Sequence, residues 1–118
     1  MNGELNRLPN VEQAIIEPLK LHGYLLSLSH PLGRFKALFF AALGFDAPRW
    51  HELETAFREQ HLNQPAESVD SNKYGEKFEI RAMLKGPNGR SALVSSIWMI
   101  ATDEHRPRFI TAYPAEER

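Results

Sequence analysis

The spacing of apolar positions divides this chain near residue 72: helical periods come before it and alternation after it. Phe35, Leu38, Phe39 and Ala42 fall at i, i+3, i+4 and i+7, which predicts a helix over 33–43 with that stripe buried. Pro31 suits its entry, His30 or Ser29 its N-cap, and Gly44 its end. Asp46 offers a second N-cap with Pro48 in the first turn, and the following helix, to about Gln60, has Trp50, Leu53, Ala56 and Phe57 as its stripe. Upstream, Ala14-Ile15-Ile16-Glu17 reads as an edge strand or extended arm stopped by Pro18. Residues 19–26 read as a short helix or turn.

Residues 61–72 read as a polar connector. Beyond it, 73–85 and 90–101 read as strands around the loop Gly86-Pro87-Asn88-Gly89, and 108–113 as a third strand after a turn over 102–107. The expected architecture is α+β, with two or three N-terminal helices packed on one face of an antiparallel three- to four-stranded sheet. The length predicts a single domain over 1–118, with 1–12 loosely ordered and 115–118 a tail.

A four-residue loop fixes a register. With Lys85 opposite Arg90 and Ala101 opposite Arg108, Phe78, Ile80, Ala82, Leu84, Leu93, Ile97, Met99, Ile110 and Ala112 share one face, which the helices are expected to cover. The other face then carries Lys77, Glu79, Arg81, Ser96, Trp98, Thr111 and Tyr113. Rings interleaved with bases suit stacking on nucleobases while phosphates are held. A plain solvated face, with its rings packed under the chain termini, is the alternative.

Charge sharpens the reading at the first long helix. A helix N-terminus favours acids, yet His30, Arg34 and Lys36 occupy this one without any acid. These are either three solvated bases or an anion site. The net charge of −1 gives no global basic excess, so any nucleic-acid contact must be local. With no cysteine, disulfides and thiolate metal sites are excluded. No apolar run approaches the roughly 20 residues of a membrane span, and the N-terminus lacks a secretion-signal pattern, so a cytoplasmic protein is expected.

The histidines His22, His30, His51, His61 and His105 show no metal-ligand pairing, and His51 and His61 are expected at the surface. There is no G-x-S-x-G elbow, and the Gly86–Arg90 segment is a turn rather than a phosphate loop. Metal-free RNA cleavage needs only a general base, a general acid and cations for the phosphorane. His30, Lys36 and Thr111 are the candidate catalytic residues; Arg34, Lys77, Arg81, Trp98 and Tyr113 are candidates for holding substrate, and Glu79 for a base.

Several segments carry a resemblance: Lys20-Leu21 with Tyr24-Leu25-Leu26, His30-Pro31-x-Gly33-Arg34-x-Lys36-Ala37-x-Phe39, Gly44-Phe45, Tyr74-Gly75, Gly86-Pro87-x-Gly89, Val94 with Trp98, and Thr111-Ala112-Tyr113-Pro114. Over 14–114 the chain resembles a family of uncharacterised bacterial and phage-associated domains. That family is similar in layout to the barnase–EndoU–colicin–RelE group of small toxin ribonucleases. The resemblance implies a metal-independent ribonuclease toxin without cofactor, RNA as substrate and a small antitoxin or immunity protein as partner. It points to His30, Arg34, Lys36, Trp98 and Thr111. The alternative is a non-catalytic binding module (an antitoxin, immunity or adaptor protein) that uses the open face. A shared site further requires the helix start and Thr111 to gather within roughly 10 Å, because hydrogen bonds to one phosphate are short.

Overall fold

The computed structural model describes residues 6–116. Much of the expected loose N-terminus therefore lies outside the described residues, but Leu8 is buried in the core rather than lying loosely on the surface. The chain folds as α+β, helices first, then a four-stranded antiparallel sheet in the order β1-β2-β3-β4.

Ile15 lies alongside Arg108 as a short parallel bridge, so the expected arm adds to the sheet edge. A single helical turn, α1 (Pro18–Lys20), runs into a wider turn at Leu21–Leu25, where the Leu26 N–H donates to the Leu21 carbonyl at 2.8 Å. Leu21 and Leu25 point from it into the core. Helix α2 (Arg34–Ala41) is capped at Ala42, earlier than expected, and the turn that follows it reaches Gly44, whose φ of +98° a residue with a Cβ would rarely adopt. Asp46 caps a short turn, accepting the Arg49 N–H at 3.1 Å, and α3 (Trp50–Gln60) follows. Its Leu53, Ala56 and Phe57 are buried, with Trp50 half-buried, as the stripe predicts.

The α2 stripe is different. Ala37 and Phe40 are the buried residues, and Phe35 and Leu38 face outward. Short α2 presents its narrow Ala37/Phe40 edge to the core, so the longer apolar run was a misleading guide.

The connector also contains a strand, β1 (Glu67–Asn72), all six residues of which are exposed. It pairs with β2 (Gly75–Lys85), which pairs with β3 (Ser91–Ala101), which pairs with β4 (Arg108–Pro114). Lys85 stands opposite Ser91, one position from the expected partner. The reason is the hairpin loop. Gly86 N–H donates to Arg90 O at 2.8 Å, leaving three residues, Pro87-Asn88-Gly89, with Gly89 at φ +89°. A one-residue slip reverses every side chain of β3 relative to β2. Phe78 thus pairs with Trp98, Ile80 with Ser96, and Ala82 with Val94.

β4 also departs from the expected register. Ile97 pairs with Thr111 but Trp98 with Phe109, so Ile110 is the extra residue of a bulge. The helix-covered face therefore holds Ile80, Trp98, Phe109 and Ala112, all buried, whereas Ile97 is only half-buried on the face expected to be open. Helix α3 packs on β2, and α2 reaches β4.

Candidate functional site

Three separate elements bring hydroxyls and an ammonium to one point at the β4 edge. The wide turn supplies Tyr24, α2 supplies Lys36, and β4 supplies Thr111. Lys36 Nζ donates to Tyr24 Oη at 2.8 Å and to Thr111 Oγ1 at 3.0 Å. The same nitrogen lies 5.9 Å from the centre of the Tyr113 ring, within cation–π range. Gly33 permits the arrangement, because a Cβ there would collide with the Tyr24 carbonyl and crowd its ring.

His30 stands on the other side of Tyr24, edge to face, with ring centres 5.0 Å apart. Its Nδ1 accepts the backbone N–H groups of Leu32 and Gly33, both at 3.0 Å, so it caps the turn that leads into α2. With Nδ1 accepting, the proton of the neutral ring sits on Nε2. Lys36 Nζ and the His30 ring each lie about 5 Å from the Tyr24 ring centre, so they are no more than about 10 Å apart. The gathering required for a shared phosphate is met for Lys36 and Thr111.

The electrostatics follow from the partners. The Lys36 ammonium, hydrogen-bonded to the Tyr24 phenol, holds its pKa below the ordinary value; a hydrogen bond from Thr111 acts the same way, and partial burial opposes both. None of the ion pairs drawn among the described residues uses Lys20, Arg34 or Lys36. Tyr24 and His30 also line an open groove of about 650 Å³, together with Leu19, Lys20 and Leu32. The assembled groups are two hydroxyls, an ammonium and an imidazole N–H, suited to an oxyanion. Among the described residues, no three His, Cys, Asp or Glu side chains come together to hold a metal ion.

The other expected site residues lie elsewhere. Trp98 is fully buried, its Nε1–H donating to Ser96 Oγ at 2.9 Å, and so cannot stack on a base at the surface. The one-residue register slip put it there. Ser96 is buried with it, and His61, expected at the surface, completes the network: Nδ1 lies 2.7 Å from Ser96 Oγ and Nε2 3.2 Å from the Ala82 carbonyl. Burial lowers the His61 pKa to about 4. Lys77 and Arg81 keep the predicted outer face but sit on β2, two strands from Thr111, a separation of roughly 10 Å. Arg81 donates to the Glu116 carbonyl. Glu79 accepts from Ser95 Oγ at 2.6 Å. Arg34 lies over the ring of Phe35 at 4.9 Å. Sequence reasoning missed Tyr24 as a site residue; its only signal was a phenol within the Lys20–Leu26 motif.

Comparison with known proteins adds two findings. A family model described as a domain of unknown function, DUF6883, matches residues 7–116. A chain in a solved "Contact-dependent growth inhibition toxin - immunity protein complex from Klebsiella pneumoniae 342" shares the fold, with a TM-score of 0.64 and 23% identity over 91% of this chain and 97% of that one. No curated protein matches.

Proposed function

The chain belongs to the DUF6883 family, and we propose that it is a small metal-independent ribonuclease, the toxin of a toxin–antitoxin or related bacterial conflict system. The observation that carries this reading is the Lys36 ammonium hydrogen-bonded to two hydroxyls, with His30 across the same phenol and a groove alongside. The fold shared with a chain of a toxin–immunity complex supports a place in such a system, on its toxin or its immunity side.

In the proposed reaction the 2′-hydroxyl attacks the adjacent phosphorus, and the bond from phosphorus to the 5′-oxygen breaks. The products are a 2′,3′-cyclic phosphate and a free 5′-hydroxyl. Tyr24 is the proton acceptor for the 2′-hydroxyl, acting through the fraction of molecules in which its phenol is ionised, a fraction that the hydrogen bond from Lys36 enlarges. Lys36 offsets the phosphorane charge and gives a proton to the departing 5′-oxygen. Proton transfer from Tyr24 back to Lys36 along their hydrogen bond then restores the starting state. His30 Nε2–H and Arg34 hold phosphate oxygens, Thr111 orients Lys36, and Tyr113 is a surface for a base. Lys77 and Arg81 remain available to more distant phosphates of a longer RNA.

Induced expression tests the reading. Growth arrest is expected, with new RNA ends carrying 2′,3′-cyclic phosphates, both relieved by Tyr24→Phe and by Lys36→Met. Equal arrest by a folded Lys36→Met protein, or no new RNA ends, overturns it.

A second reading, a non-catalytic binding module, is favoured by one observation. Tyr24 and Thr111 already occupy two of the three Lys36 N–H groups, which is also how a lysine would tie α2 to β4. In that case the same substitutions lower stability and change no RNA.

A further inference from the structure

The outward side of α2 and the groove beside it share two properties that seldom coincide on one surface. The first is apolar exposure. Leu19, Leu32, Phe35 and Leu38 are each at least 60% exposed. Leu19 and Leu32 line the groove, and Phe35 and Leu38 continue from it along α2 at helical spacing. Phe35 and Leu38 have the periodicity of a buried stripe, yet α2 buries Ala37 and Phe40 instead. Such a set on a soluble chain marks a contact surface.

The second property is charge. All 15 acids of the chain lie outside 18–45, while Lys20, Arg34 and Lys36 lie within it. The one acid at the groove, Glu17, is engaged by Arg108 at 2.8 Å. The chain as a whole carries −1, so this segment is basic against an acidic remainder.

We propose that this surface docks a protein partner presenting apolar side chains ringed by Asp and Glu. Leucines gain by burial against other side chains but offer little to a nucleobase, which favours a protein over RNA. Acidic groups on the partner would face Lys20 and Arg34, raising the association rate and selecting against basic partners. Because Tyr24 and His30 line the same groove, a docked partner covers the proposed RNA site. That blocking role rests on the ribonuclease reading, whereas the docking does not.

The test pans a naive display library of small helical scaffolds, with surface charge randomised, against the full chain. The enriched binders are expected to be rich in Asp and Glu around an apolar centre. They should lose about tenfold or more in affinity for the double variant Phe35→Ser/Leu38→Ser, the effect of removing central apolar anchors. The binding should weaken as salt rises. Circular dichroism of the double variant checks that it is folded, which is expected because both side chains point into solvent.

Binders that keep their affinity for the folded double variant, or that are rich in Lys and Arg, overturn the proposal, as does a library that yields none. So does a wild-type oligomer that the double variant dissolves, which assigns the surface to a second copy. A short RNA or anionic vesicles binding wild type and losing affinity for the double variant would assign it to those instead. Affinity is read without any cleavage, so acidic binders on a chain that leaves RNA intact uphold this inference and remove the ribonuclease. Cleavage without such binders does the reverse.

Discussion

Two histidine-centred clusters in this protein use similar groups in opposite ways. At His61 the imidazole, the Ser96 hydroxyl and the Trp98 indole lie in the core, with both ring nitrogens within hydrogen-bond distance of a partner. At His30 only Nδ1 is used, on the turn it caps, and the neighbouring Tyr24, Lys36 and Thr111 sit at a sheet edge beside a groove. The first network lies out of water's reach, so protonating it works against the fold. The second keeps a cation and a phenol near solvent. Burial and saturation, more than residue type, separate structural from chemical polar groups.

The largest expected effect breaks the first cluster. Trp98→Ala removes the largest fully buried side chain and takes the Nε1–H donor from Ser96. Denaturant unfolding should show a loss of about 3–5 kcal/mol. The next effect uses pH. His61 takes up a proton at about pH 4 when folded and at its ordinary value of 6.5 when unfolded. The unfolded chain therefore binds more protons between these values. The contribution is fully present above pH 6.5 and is lost as pH falls towards 4, for a total of about 3 kcal/mol. Urea titrations across that range should show the slope in wild type and its loss in His61→Gln.

These two effects also mark where the sequence was legible. The helices-then-sheet order, the Asp46 cap and the α3 stripe follow from periods and caps that tertiary contacts left unchanged. The face of β3 did not. It depended on whether the Gly86 hairpin leaves three residues or four, and the left-handed Gly89 decided for three. That single residue moved Trp98 from a proposed stacking platform to the core. β1 carried no signal because an edge strand exposed along its whole length has no apolar alternation to read. The basic start of α2 was legible as a charge anomaly. Its partner Tyr24 was not, because only the wide turn at Leu21–Leu25 brings the phenol to Lys36.

Smaller effects sharpen the second cluster. Spectroscopic titration of the tyrosines should reveal Tyr24 ionising below the ordinary phenol value. That transition should disappear in Tyr24→Phe and move up in Lys36→Met; an unchanged curve in Lys36→Met contradicts the geometry. Ile97→Ala, expected from sequence to leave a core cavity, now removes a half-buried side chain from the outer face. Its cost should be below about 1.5 kcal/mol by chemical denaturation, well under that of Trp98→Ala.

The most direct test of the central claim is the cleavage rate of a short synthetic RNA in excess chelator, comparing wild type with Lys36→Ala at matched folded fraction. The account predicts cleavage by wild type to 2′,3′-cyclic phosphate ends, no cleavage of the all-deoxy analogue, and a loss of about 100-fold or more in Lys36→Ala. Equal rates for the two proteins, or an RNA left intact by folded wild type, would contradict it.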